Sequence, residues 1–382
     1  MQLPQRSRAA GQGHRVTILE IAAMCGVSAQ TVSRVINRRP DVSPETRAAV
    51  EAAIAAVGFQ PSAVARSLVQ RRSYTLGVIA AGLHFFGVAQ TLNGITEASE
   101  AAGYALLLRE TKPSGDVDIA PVIEFLMAHR VEGIIVAAPD VGVNIAGIRA
   151  QLPAAAPPIL FLKSEQSHAF STILIDNSGG ARSATEHLLA LGRRRIGHLA
   201  GPLEWHEARD RQQGWLDALR DAGLEPGPVV QGDWSSAAGA EAFTRLHALA
   251  PDLDGLFAGN DQMALGALSV ANRLGIAVPG DLAVVGFDGL EEGAEFTPSL
   301  TTVRQPLREL GNLAVTELLA TIGGDPGRAA AHGLTLATEL VIRESAPAVA
   351  GSGRQDAATA PVSEAPAAGG SVAAAQGPAG GL

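Results

Sequence analysis

From Leu76 to Ile322 the chain alternates short β-rich runs with longer amphipathic stretches, and no other feature limits its fold as tightly. Strands are expected at 76–79, 104–108, 133–137, 159–162 and 172–175, then at 195–200, 228–231, 255–257 and 283–286. Helices are expected at 90–102, 118–129, 180–191, 212–222, 238–249, 261–274 and 307–322. Parallel strands need long crossovers, and helices supply them, so repeated βα units predict parallel sheets with helices on both faces. A body of about 270 residues has room for two such lobes.

Residues 16–60 have a different rhythm. Thr17-Ile18-Leu19-Glu20 is a capping box, in which the Thr hydroxyl takes an orphan amide and the Glu reaches back. Ile18, Ile21 and Ala22 repeat at helical spacing, and Gly26 can end the helix in a left-handed cap. Ser28 can cap a second helix with Val32, Val35 and Ile36 on its apolar face. Ser43-Pro44-Glu45-Thr46 starts a third, which stops at Gly58. The segment 18–37 matches a helix-turn-helix, with Val27 plugging the joint. Its second helix turns Ser28, Ala29, Gln30, Thr31, Ser33 and Arg34 outward, where a major groove would admit them. Gln can pair bidentately with adenine and Arg with guanine, while Ser and Thr suit phosphate. The plain alternative is a helical hairpin with no ligand.

Charge favours the DNA reading. Residues 1–72 hold ten Arg and four acids, net +6, which leaves −15 for the rest of a chain that totals −9. A basic arm on an acidic body suggests a polyanion-binding module joined to something else. Apolar residues are 47% of the chain, too many for a mainly disordered one. No run approaches the ~18 apolar residues of a membrane span, and the polar, basic start does not read as a secretory signal. A cytoplasmic location is therefore expected. One cysteine, Cys25, excludes a disulfide framework and a Cys-based zinc site. Segments 1–15 and 346–382 are too poor in large apolar residues to order and are expected to be disordered.

The motif series as a whole resembles the lac repressor (LacI/GalR) family. It begins with Val16-Thr17-Ile18, Ile21-Ala22, Gly26-Val27-Ser28 and Thr31 through Asn37. It continues with Val42-Ser43-Pro44-Glu45-Thr46-Arg47, Gly58-Phe59-Gln60-Pro61 and Ala65-Arg66-Ser67-Leu68. In the body it includes Asn260-Asp261-Gln262-Met263, Val284-Val285-Gly286-Phe287-Asp288 and Leu300 through Pro306. The resemblance implies an all-α helix-turn-helix headpiece (16–61), a hinge helix and linker (62–73) and a periplasmic-binding-protein-like α/β body (74–345). The N-lobe would be 74–174 plus 305–333, and the C-lobe 175–304 plus 334–345. It adds Thr17, Asn37, Ser62, Ala65 and Leu68 as DNA contacts, with Leu68 as a wedge in the minor groove. The plain alternative for Leu68 is an ordinary core contact.

In the body the resemblance implies an effector cleft formed by Asp176, Arg211, Trp234, Asn260 and Asp288. Arg211 would offer a planar fork to effector oxygens. Asn260 and Asp288 follow expected strands, at the end where open α/β sheets bind ligands. Trp234 could stack on a sugar face. Each has a plainer reading: Asn260 and Asp288 as helix caps, Trp234 as core. Two departures from the family pattern stand out, Leu83-His84-Phe85-Phe86-Gly87-Val88 and Lys163, which replaces a frequent Asp. Lys163 suggests an effector with an anionic group.

No H-E-x-x-H, P-loop, G-x-S-x-G or first-strand G-x-G-x-x-G occurs, and His206-Glu207 has no second His four residues on. No catalytic residue, metal or cofactor is expected. The expectation is a homodimeric repressor on a near-palindromic operator, controlled by a small polar effector, a sugar or a sugar derivative. The rival is a cytoplasmic sugar-binding or sugar-processing protein with a vestigial headpiece.

Overall fold

The computed structural model describes residues 16–36, 39–59, 72–112, 119–137, 148, 152–153, 156–162, 170–325 and 331–348. Asn37, the hinge positions Ser62, Ala65 and Leu68, Lys163, the expected N-terminal segment 1–15 and, of the expected tail 346–382, residues 349–382 lie outside them.

Among the described residues the headpiece has three helices: α1 (Ile18–Cys25), α2 (Ala29–Ile36) and α3 (Pro44–Val57). Thr17 and Glu20 close the capping box, with the Thr17 amide donating to Glu20 Oε2 at 2.7 Å. Gly26 ends α1 at φ 66°, a left-handed conformation that costs Gly little. The chain then turns, and Ile21 and Ala22 pack on Val32, Val35 and Val50. This small core fixes the angle of α2.

The first lobe contains β1 (Thr75–Ala81), α4 (Phe86–Ala101), β2 (Ala105–Thr111), α5 (Ala120–Ala128), β3 (Gly133–Ala137), β4 (Ile159–Leu162) and β5 (Ser171–Ile175). The second contains α6 (Asn177–Ala190), β6 (Ile196–Ala200), α7 (His206–Asp221), β7 (Val229–Gln231) and α8 (Ser236–Leu249). It continues with β8 (Gly255–Ala258), α9 (Asp261–Leu274), β9 (Ala283–Asp288), a short 3-10 helix (Glu291–Glu295) and β10 (Thr301–Arg304). The chain returns to the first lobe as α10 (Leu307–Ile322) and β11 (Gly333–Leu336), then crosses back as β12 (Glu339–Val341).

The sheets run β11-β5-β4-β3-β1-β2 and β12-β10-β9-β8-β6-β7. All pairings are parallel except β10 with β12. The strands β1, β3 and β9 are buried over nearly their whole length, as sheets covered on both faces require. No described helix is long and apolar enough to cross a membrane.

Two expected boundaries move. β11 pairs with β5 through Leu336, so the first lobe extends past residue 333 and the chain crosses back between Leu336 and Glu339. The body also runs past residue 345: Ala346 is fully buried, and its carbonyl accepts a hydrogen bond from Thr301 Oγ1 at 3.0 Å.

Candidate functional site

The headpiece exposes one polar helix face. Val32 and Val35 point into the core, and Gln30 and Arg34, one turn apart, point out. Ser28 Oγ accepts from the Thr31 amide at 3.1 Å and lies 2.9 Å from the Thr31 hydroxyl, so both hydroxyls help cap α2. The Thr17 hydroxyl likewise serves α1, donating to Glu20 Oε2 at 3.0 Å. Ala29 and Ser33 are half-buried beside them. Arg34 pairs with Asp41 at 3.5 Å across an exposed surface, a contact weak enough to release.

The body places a cavity of about 460 Å³ between the lobes. That volume falls in the range of small-molecule sites. Its walls are built at the carboxyl ends of parallel strands: Phe85 and Phe86 after β1, Trp205 after β6, Trp234 after β7, Asn260 after β8 and Asp288 ending β9.

Arg211 is the centre of this wall. Gly214, one turn on, lets α7 approach α6, because a Cβ there would lie 2.1 Å from the Ser178 carbonyl oxygen. The close approach brings Arg211 Nε to Asn177 Oδ1 at 2.9 Å. Nη1 donates to the Gly259 carbonyl and to Asp288 Oδ1, the latter at 3.3 Å. Gln305 Nε2 donates to the same Asp288 oxygen at 2.6 Å. Burial pulls the Arg211 guanidinium below its ordinary pKa, opposed by Asp288 and Glu207. Among the described residues, Nη2 has no protein partner.

Asp288 and Trp234 have positive φ, 116° and 77°, a strained conformation that surrounding contacts must hold. Trp234 is held by Asn260, whose Nδ2 donates to its carbonyl at 2.9 Å, and its ring covers Gly201, where any Cβ would clash. Asn260 Oδ1 meanwhile caps α9 through the Met263 amide at 2.9 Å. The plainer reading of Asn260 as a cap and its reading as cleft wall therefore both apply.

The geometry brings Arg211, Trp234, Asn260 and Asp288 to one cavity and leaves Asp176 out. Asp176 is exposed, and its carboxylate caps α6 by accepting from the Gly179 amide at 2.7 Å. Its residue type suited a ligand, but its place at a helix start assigns the oxygen to the backbone.

Several lining residues were not singled out from sequence. Glu207 is 7% exposed, and neither of its oxygens has a protein hydrogen bond among the described residues. It lies four residues before Arg211 on α7, a spacing that could have revealed it. Gln305 sits in a quoted motif but received no role. Phe85 belongs to a stretch noted only as a departure. Its ring meets Trp205 edge-on at 5.1 Å, and Trp205 inclines against Trp234 at 5.9 Å. This aromatic chain links the lobes along the cavity wall.

Residues 17–62 match the family model for bacterial regulatory proteins, lacI family, and residues 185–346 match a periplasmic binding protein-like domain. The lactose operon repressor of Escherichia coli (strain K12) is 33% identical over 306 residues, 80% of this chain and 84% of that one. A lac repressor dimer bound to operator and the anti-inducer ONPF superposes with a TM-score of 0.79 at 32% identity, covering 87% of this chain and 99% of the other. A complex of the transcriptional regulator CelR with cellobiose gives 0.64 at 32% identity, covering 87% and 100%.

Proposed function

The chain belongs to the lac repressor family of bacterial regulatory proteins, and from that premise we propose how it works. It is a sequence-specific DNA-binding transcriptional regulator with a ligand-responsive body, not an enzyme. The reading is a repressor that binds a near-palindromic operator as a homodimer, one headpiece per half-site. Gln30 and Arg34 read base edges. Thr17, Ser28, Ala29, Thr31 and Ser33 pack and position against the backbone. Asn37, Ser62, Ala65 and Leu68 complete the DNA surface, with Leu68 as the minor-groove wedge.

A small polar effector, a sugar or sugar derivative, binds in the cavity against Arg211, Trp234, Asn260 and Asp288. It touches both lobes, so it favours one interlobe angle and thereby one spacing of the DNA-binding ends. Such coupling is of order 1–3 kcal/mol. The observation that carries the reading is the outward face of α2, where Gln30 and Arg34 stand clear of a core that fixes their direction.

Fluorescence anisotropy with duplex DNA from upstream of the coding region tests it. Wild type should bind specifically and weaken steeply with salt, through release of counterions. Arg34→Ala should bind roughly 5- to 150-fold more weakly and relax the preference at one base pair per half-site. Equal affinity of the variant for operator would remove α2 as the reading element.

A further inference from the structure

We propose that Asp41 is a positioning residue for the base-reading arginine. It holds Arg34 by the Nε side, turns the open end of the guanidinium toward a guanine, and disfavours the same arginine settling on a phosphate. The proposal rests on α2 being the reading helix. Asp41 lies in the loop between α2 and α3, with its Oδ2 3.5 Å from Arg34 Nε.

The loop is anchored on both sides of Asp41. Before it, the Arg39 amide donates to the Arg34 carbonyl at 2.9 Å, and the Arg47 guanidinium donates from α3 to the Arg39 carbonyl. After it, Val42 packs on the headpiece core, and Ser43 caps α3 by accepting from the Thr46 amide at 3.3 Å. The backbone therefore delivers the carboxylate to one place, beside the arginine that leaves α2 outward.

An acid on this surface needs a reason. Residues 1–72 hold ten Arg and four acids, and a carboxylate near phosphates opposes the attraction those arginines supply. Glu20 closes the capping box of α1, and Glu45 sits in the first turn of α3, where the helix dipole favours it. Asp41 has neither task. In the free protein its pair with Arg34 is exposed and weak. Docking on a duplex removes water from both groups, and their attraction grows as the local dielectric falls. A guanidinium carries five N–H donors, so a carboxylate at Nε leaves both Nη groups for guanine O6 and N7. Pairing and reading therefore do not compete. Phosphate binding does compete, because it would bring a second anion beside Asp41. Asp41 thus weakens binding to any duplex and sharpens the choice among duplexes.

The full-length protein is titrated by fluorescence anisotropy with the best duplex selected from a random-sequence library, with its single base-pair replacements, and with an unrelated duplex. Arg34→Ala marks the base pair that Arg34 reads, as the position where replacement no longer matters. At that position Asp41→Ala should lose roughly 3- to 10-fold of the wild-type discrimination, with other positions unchanged. Its affinity for the unrelated duplex should rise roughly two- to fivefold, with a salt slope steeper by about one, as Arg34 becomes free to take a phosphate. Asp41→Asn should behave like Asp41→Ala, and Asp41→Glu should recover most of the discrimination. In the Arg34→Ala background, Asp41→Ala should change discrimination at no position.

A merely structural Asp41 would lower every affinity by one factor and leave discrimination at the Arg34 base pair intact. That result, or unaltered affinities in Asp41→Ala, would overturn the proposal with α2 still the reading helix. An Arg34→Ala protein that keeps wild-type discrimination at every position, or a wild type that prefers no selected duplex over unrelated DNA, would overturn the reading of α2 and the proposal with it.

Discussion

Asp261 begins α9 with a fully buried carboxylate, accepting from Thr302 Oγ1 at 2.6 Å and the Leu290 amide at 2.7 Å. Burial first, and then the charge of Asp288, push it up to about 8. The folded protein thus holds a proton that the unfolded chain releases near pH 4. Stability from this group is present at low pH and declines as pH rises toward 8. Asp261→Asn, which keeps a neutral side chain, should lose less stability than wild type between pH 6 and 8. Parallel thermal-unfolding curves for the two proteins across that range would contradict this. His198 behaves in the opposite sense. It stacks between Trp215 and Phe257, and burial lowers it to about 4. Its contribution is present above pH 6.5 and is lost as pH falls toward 4, so His198→Phe should flatten the acid side of the stability profile. Neither shift can be read from residue type alone, since both come from burial that only the packed lobe creates. Arg211 and Asp288 were legible as cleft residues because their spacing repeats a known motif. Glu207 was not, because nothing in a lone His-Glu pair says that it faces a cavity.

At the scale of elements, the lobes were largely legible, and the misses share physical causes. α4 begins at Phe86 rather than Gln90, and α7 at His206 rather than Gln212. The first turn of α7, His206 to Arg209, is mostly polar and carries Glu207 to the cleft, so the apolar period that marks a helix is interrupted where the site begins; in α4, Gly87 follows Phe86 and weakens the helical signal. β11 and β12 are part-exposed edge strands, and β10 is Thr-Thr-Val-Arg, so none shows the continuous apolar run that marks the buried strands. One junction was not foreseen. Arg72, just before β1, donates to Glu132 Oε2 at 2.7 Å and to the Tyr104 hydroxyl at 2.6 Å, while the Tyr74 amide donates to Glu132 Oε1 at 2.9 Å. Burial would raise Glu132, but Arg72, the Tyr74 amide and Tyr104 together hold it below the usual range. This cluster pins the chain entering the first lobe, where lobe movement would have to be passed to the DNA-binding end. Glu132→Gln should increase hydrogen exchange at residues 72–76 and reduce the effect of effector on operator affinity, with effector affinity itself unchanged. Unaltered exchange would make the cluster incidental.

At the scale of the whole molecule, two chemically separate surfaces share one chain: a basic, helical DNA reader and an acidic body with an interlobe cavity. The charge asymmetry and the change from helical repeats to βα alternation made that division visible before any coordinates. The wall-to-wall contact of Phe85 with Trp205 was not visible, since it joins residues from different lobes and depends on how they close. The account stands on the claim that occupancy of this cavity controls DNA binding. The direct measurement is the operator dissociation constant, by anisotropy, with and without a saturating sugar or sugar derivative, for wild type and for Arg211→Ala. The account predicts a change of roughly 5- to 150-fold in wild type and none in Arg211→Ala, which should still bind operator normally. An operator affinity that stays constant while the wild-type cavity is shown to be full would contradict it.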